Sequence, residues 1–145
     1  QAIENTHNTL IKLGYRIPKI AVLSLNPHKG DGGLFGNEEE KIIIPAIDEL
    51  KRRGGYNCTG PYVPDSFFVK YSKYPVYDGI IAMYHDQGLI PFKMLSFGSG
   101  INVTIGLPVI RTSVDHGTAY DIAGKDQAND RSLFEALKFA VNLSG

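Results

Sequence analysis

"YDGIIAMYHDQGLIPFK", residues 77–93, decides how the chain is read. Its first half, Tyr77–Tyr84, is a short apolar run of the kind that forms a strand buried on both faces. The run stops at His85 and Asp86, and Lys93 follows after one loop or helical turn. Polar groups this close to a buried strand end need partners. A second stretch has the same plan. "KIAVLSLNPHKGDGG", residues 19–33, is introduced by Pro18 and passes from an apolar strand, Lys19–Leu25, into His28 and a glycine-rich loop.

Around these two strands the pattern is mostly helical. "QAIENTHNTLIKLGY" has helical spacing through Ile3, Leu10 and Leu13 with Gly14 as a stop, and His7 on it reads as a solvated side chain. From Asn37, "NEEEKIIIPAIDELKRRGG" reads as a helix with acids in its first turn and bases in its last, matching the helix dipole. Pro45 should kink it. "YNCTGPYVPDSFF" reads as an extended segment and loop. "GINVTIGLPVIRTSV" holds two short strand-like runs broken by Gly106 and Pro108. The final "DRSLFEALKFAVNL" is an amphipathic helix, capped by Asp130 or Ser132, with an apolar face of Leu133, Phe134, Leu137 and Val141. Strands alternating with helices predict an α/β fold.

Bulk properties narrow the classes. With 43% hydrophobic and 21% charged residues, the 145-residue chain is globular rather than disordered or fibrous. Fifteen basic and fifteen acidic residues provide no global field, which argues against nucleic acid or an anionic membrane as partner. The single cysteine, Cys58, excludes a disulfide framework and suits a reducing cytoplasm. No run approaches the ~20 apolar residues of a membrane span, so a soluble, cytoplasmic protein is expected.

Three constellations can carry chemistry. In α/β sheets ligands gather at the carboxyl ends of strands, so His28 and His85 can converge although distant in sequence. Imidazole suits a divalent metal, but a working site takes about three protein ligands, and an isolated histidine is more often merely hydrogen-bonded or exposed. Asp86 could orient a ligand, bind metal, act as general base, or simply cap a helix. Second, the glycines of "HKGDGGLFG" let backbone N–H groups approach an anion, with Lys93 and Arg111 able to add charge-assisted bonds. Such clusters are often only turns. Neither a G-x-G-x-x-G after a strand nor a Walker A motif is present. Third, "TSVDHGTAYDIAGKDQAN", Thr112–Asn129, is a long polar stretch that could wrap a nucleotide or be an ordinary surface loop.

Taken together, "LNPHKGDGGLFGNEE", "AMYHDQGLIPFK" and "GINVTIGLPVIRTSVDHGTAYDIAGK" resemble the 4-hydroxythreonine-4-phosphate dehydrogenase family of pyridoxal phosphate biosynthesis, in order and approximate spacing. "DHGTAYDIAGKDQAN" is also similar to the adenine-side loop of isocitrate and isopropylmalate dehydrogenases. The resemblance implies a three-layer α/β/α fold of the isocitrate/isopropylmalate dehydrogenase type. It also implies that residues 1–145 form the C-terminal portion of a larger two-domain enzyme. Roughly 1–100 would be the metal, substrate and dimerisation region, and roughly 101–145 a segment returning toward the cofactor-binding domain.

By the same resemblance the metal ligands are His28 and His85, with zinc, magnesium or cobalt as the ion. Lys93, Asn102 and Arg111 match substrate-binding residues, and Asp86 and Asp65 match catalytic acids. His116, Gly117 and Asn129 match the cofactor side, for NAD. A third metal histidine and a His-Thr pair that contacts phosphate lie upstream of anything present here. The implied reaction is NAD-dependent oxidation and decarboxylation of a small phosphorylated hydroxy-amino acid, (4-phosphooxy)-L-threonine, to 3-amino-2-oxopropyl phosphate, by a homodimer. This portion is expected to be inactive alone. Alternatives are a paralogous dehydrogenase for 4-phospho-D-threonate or 4-phospho-D-erythronate, or a non-catalytic metal-binding, anion-binding or oligomerisation domain.

Overall fold

The computed structural model describes residues 1–96 and 98–144. The chain divides into two compact units, Gln1–Pro91 and Phe92–Gly145.

The first unit is built on a parallel sheet of β1 (Lys19–Leu23), β2 (Asn57–Tyr62) and β3 (Gly79–Ile81) in the order β2-β1-β3. β1 is central, and Ile20, Ala21, Val22 and Leu23 are all buried. Both faces of a central parallel strand are covered, so its sequence is continuously apolar instead of alternating. Successive side chains nonetheless point to opposite faces. Ile20 and Val22 pack with Ile3, Ile43, Ile47, Leu50 and Cys58, whereas Ala21 and Leu23 pack with Phe67 and the half-buried Tyr62, Tyr71 and Tyr77.

Those two sets of neighbours come from different helices. One face carries α1 (Ala2–Lys12) and α2 (Ile44–Arg53), and the other carries α3 (Pro64–Lys73), giving helix, sheet and helix layers. α1 approaches β3 closely at Gly79, where a Cβ would lie 2.9 Å from Thr6 Cγ2. Each buried Ile or Leu contributes about 1.5–3 kcal/mol by leaving water.

Several local expectations change. The segment after Asn37 opens with a π-helical turn, Glu39–Ile43, that runs without a break into α2, so Pro45 stands inside a continuous helical stretch and the irregularity expected of it takes the form of that widened turn just ahead. The predicted loop after β2 is instead α3. Its start is set by Pro64 and Asp65, and Phe67, Phe68 and Tyr71 form its inward side. Aromatic and β-branched residues have middling helix propensity, so burial decided the conformation. His7 is half-buried rather than solvated: its ring meets Tyr56 edge-on at 4.9 Å and its Nδ1 is buried without a hydrogen-bond partner. Cys58 lies on β2 inside the core, where burial pushes its thiol up and away from reactivity.

α4 (His85–Leu95) follows β3 and holds Pro91 within it. The second unit then contains an antiparallel hairpin, β4 (Ile101–Thr104) and β5 (Arg111–Val114), with Asn102 opposite Ser113 and Thr104 opposite Arg111. The break at Gly106 and Pro108 is its connection. α5 (Arg131–Ser144) packs on both strands, but not through the predicted face. Ser132 and Ala136 are the buried residues, one helical turn apart, while Leu133, Phe134, Leu137 and Val141 are more than half exposed. Small side chains let the helix lie close on the hairpin. The Ser132 hydroxyl donates to the Gly100 carbonyl at 2.6 Å and accepts from the Asp115 N–H at 3.1 Å.

Candidate functional site

All three strands of the first unit run in one direction, so their carboxyl ends lie along one edge. β1 leads to His28, β2 leads through Val63 and Pro64 to Asp65, and β3 leads to Tyr84 and His85. A hollow of about 220 Å³ opens there, lined among others by Asn26, His28, Asp65, Tyr84 and Gln87. His28 and Asp65, far apart in sequence, thus share one cavity. Asp65 accepts the Ser66 N–H at 2.7 Å in the first turn of α3.

The polar partner demanded at the strand ends is Gln87. Its amide group donates to the Ser24 carbonyl at 2.8 Å, and its carbonyl accepts the Met83 N–H at 2.8 Å. Ser24 follows β1 and Met83 follows β3, so one buried side chain satisfies both exits. His85 itself is exposed. Its Nδ1 pairs with Asp86 Oδ1 at 2.7 Å, which directs the other ring nitrogen, Nε2, to whatever approaches from outside. A carboxylate on one imidazole nitrogen is the usual way of orienting a histidine that ligates through the other.

The loop after β1 is conformationally unusual. His28, Lys29, Gly30, Asp31 and Gly32 all have positive φ, from 46° to 86°. For non-glycine residues this costs roughly 1–2 kcal/mol each, His and Asp tolerating it better than most. A buried carboxylate fixes the chain just ahead of the run. Glu39, 2% exposed, accepts the N–H groups of Leu25 (2.8 Å) and Asn26 (2.7 Å) on one oxygen and the Asn26 side-chain amide (2.9 Å) on the other. Glu38 accepts the same amide at 2.7 Å. Gly30 is required at its place because a Cβ would fall 2.5 Å from the Gly36 carbonyl oxygen.

Burial pushes the Glu39 carboxyl upward, but the hydrogen bonds from Asn26 and Leu25 outweigh it and hold the group below the usual carboxylate range. A lowered folded value means that the folded chain binds fewer protons than the unfolded one. The resulting stability is present above the unfolded value of about 4.3 and is lost as pH falls through the folded value. The thermal midpoint of Glu39→Gln should therefore vary less with pH than that of the parent below about pH 4.3. Identical slopes in a pH series of melts would remove this carboxylate from the acid sensitivity.

In the second unit a hollow of about 430 Å³ is lined by Lys93, Gly98, Gly100, Asp115, His116 and Asn129, with Ala119 and Ile122 among its apolar contacts. Lys93 Nζ donates to the carboxylate of Asp115 at 3.1 Å and to its carbonyl at 3.3 Å. His116 Nδ1 lies 3.0 Å from the Gly117 carbonyl, and Asn129 accepts the Arg131 N–H that opens α5. Asn102 and Arg111 stand on the hairpin, where Arg111 donates to Thr104 Oγ1 at 2.9 Å. Lys93, His116 and Asn129 are thus brought together, whereas Gly117, Asn102 and Arg111 are not among the lining residues.

Sequence reasoning missed Gln87 and Glu39. Gln87 had a signal, an amide just past an apolar strand run. Glu39 had none, because "NEEEK" reads equally well as three solvated acids at a helix start. As to a metal, one imidazole on the loop after β1 and one at the start of α4 after the adjacent β3, the latter braced by a carboxylate, have the donor chemistry of a divalent-ion site. Among the described residues, however, no three His, Cys, Asp or Glu side chains cluster closely enough to hold an ion unaided. His28 and His85 have the donor chemistry for such a set, but His85 and Asp86 are not among the residues lining the hollow that holds His28. No helix among the described residues is long and apolar enough to cross a membrane.

The chain is 53% identical over 131 residues to a 4-hydroxythreonine-4-phosphate dehydrogenase of Desulfosudis oleivorans, covering 90% of this chain and 38% of that protein. It is 50% identical over 145 residues to a D-threonate 4-phosphate dehydrogenase of Cupriavidus necator, covering 99% and 43% respectively. Among solved structures, the 4-hydroxythreonine-4-phosphate dehydrogenase of Klebsiella pneumoniae superposes with a TM-score of 0.80 at 43% identity, over 99% of this chain and 43% of that one. The chain therefore spans about two fifths of the length of the relatives it matches. The family model described as pyridoxal phosphate biosynthetic protein PdxA matches residues 1–140. On these matches, and with an α/β architecture that agrees with them, the chain belongs to the PdxA family.

Proposed function

We propose that this chain contributes the strand-end and cofactor-side parts of an NAD-dependent, divalent-metal-dependent dehydrogenase. The reaction is oxidation of (4-phosphooxy)-L-threonine at its secondary hydroxyl, followed by loss of CO2, to give 3-amino-2-oxopropyl phosphate. The observation that carries this reading is the shared hollow at the sheet's carboxyl edge, which collects His28 and Asp65 beside the His85 strand exit in a chain of this family.

His28 and His85 are the protein's ligands to the ion, zinc, magnesium or cobalt. When bound, the ion lowers the pKa of a coordinated hydroxyl and offsets charge that develops on oxygen during decarboxylation. Asp86 holds the His85 ring at Nδ1 and is the group that receives the hydroxyl proton in this reading, while Asp65 is the acid that lines the hollow. Lys93, Asn102 and Arg111 bind the substrate's anionic and polar groups; the Lys93 ammonium exchanges its Asp115 partner for substrate. His116, Gly117 and Asn129 hold the adenine side of NAD, which accepts the hydride. The family resemblance adds a homodimer with groups from both subunits at the site. The exposure of Ile42 (63%) and Ile90 (58%), while Ile43 and Ile47 are buried, supplies apolar surface suited to it.

A second reading rests on the Cupriavidus relative, whose name specifies D-threonate 4-phosphate at an identity close to that of the first relative. The two readings differ only in the substrate's amino or hydroxyl substituent and its stereochemistry. Assaying the full-length protein with NAD against (4-phosphooxy)-L-threonine, 4-phospho-D-threonate and 4-phospho-D-erythronate separates them. NADH should form fastest with the first; no NADH from it would sink the primary assignment.

A further inference from the structure

We propose that Glu39 is a positioning residue for His28, acting through the backbone of the loop that carries it. This rests on the reading of His28 as a metal ligand. Three observations lead to it. The first is electrostatic: a carboxylate 2% exposed, with no ion-pair partner among the described residues, is costly unless its oxygens are fully hydrogen-bonded. Apart from its own backbone N–H, the groups that bond it are those of Leu25 and Asn26. The buried charge is spent on two residues.

The second is positional. Leu25 and Asn26 are the last backbone donors before Pro27, which has none, and His28 begins the left-handed run immediately afterward. Their two N–H groups fix the direction in which the chain leaves β1, and Pro27 carries that direction to His28 with little freedom. The third is that Glu39 also backs the middle of the run. A Cβ at Gly30 would stand 3.4 Å from its other carboxylate oxygen, so the side chain that bonds the loop's entry also lies beside its Gly30 turn. Glu39 opens the π-helical turn, Glu39–Ile43, a local widening often found at functional sites. Glu38 assists by sharing the Asn26 amide.

The test uses the full-length protein and zinc alone as probe. Zinc affinity by equilibrium dialysis and amide exchange of residues 25–34 are measured for Glu39→Ala, Glu39→Asp, His28→Ala and Leu50→Ala. Leu50→Ala lowers stability from within the core, away from the loop, and controls for general loosening. Glu39→Ala should weaken zinc about 10–100-fold, the range for partners that orient a ligand, and speed exchange in the loop. Glu39→Asp, one methylene shorter, should fall between it and the parent, and reads the same effect if the alanine variant does not fold. Leu50→Ala should leave zinc affinity unchanged.

Parent-like loop exchange in both Glu39 variants overturns the inference. So does parent-like zinc affinity in those variants when His28→Ala has lost it, or an equal zinc loss in Leu50→Ala. Unchanged zinc in His28→Ala overturns the ligand reading instead, and loop exchange then decides by itself whether Glu39 places His28.

Discussion

Replacing His28 in the full-length protein is expected to abolish tight divalent-metal binding and dehydrogenase activity together, with little loss of stability. The side chain is exposed and makes no hydrogen bond among the described residues, so its removal leaves no cavity and no orphaned partner. Surface changes of that kind usually fall within about 0.5 kcal/mol. Removing a ligand directly should cost more than the ~10–100-fold typical of an outer partner. Alanine alone would confound two effects, because φ at this position is 51° and alanine resists that conformation. Asparagine tolerates it. His28→Asn should therefore keep the loop and still lose the metal. If the asparagine variant retains zinc at parental affinity, ligation by His28 is wrong, whatever the alanine variant does.

The largest stability effect should come from Leu23→Ala. Leu23 is fully buried at the end of β1 and packs with Ala21 and Phe67 against a ring of tyrosines that includes Tyr62, Tyr71 and Tyr77. Truncation removes transfer energy and leaves a void that a sheet backbone cannot collapse to fill. The loss should be about 2–5 kcal/mol. Against a typical total of about 5–15 kcal/mol that is a large share. Denaturant titration should show a lower midpoint with an unchanged slope. Leu23 also immediately precedes Ser24, whose carbonyl Gln87 holds, so metal affinity should weaken as well. A stability change under about 0.5 kcal/mol would mean that this face of the sheet is not a tightly packed core.

Much of this fold was legible in residue order because its signals are local. β1 is a continuous apolar run after Pro18, the hairpin is two short runs around Gly106 and Pro108, and the Pro27–Gly33 loop is dense in glycine. α3 was not legible. Its aromatic residues are as consistent with a strand, and only the face of the sheet waiting above Ala21 and Leu23 selects a helix. The face of α5 failed for the opposite reason. Periodicity marks the large apolar residues, but within this chain the hairpin accepts only small ones, Ser132 and Ala136.

For the site, the sequence by itself determined which residue types stand at which strand exits: His28 after β1, Asp65 after β2, His85 and Asp86 after β3. That follows from chain order, since a strand delivers whatever comes next to its carboxyl end. Tertiary structure alone decided what holds them. Gln87 bridges Ser24 across 63 positions, and Glu39 reaches back 13 and 14 positions to Asn26 and Leu25. Nothing in "EEE" marks the middle acid as buried. A carboxylate's surroundings are set by which backbone N–H groups folding brings to it, and those belong to a part of the chain with no local relation to it.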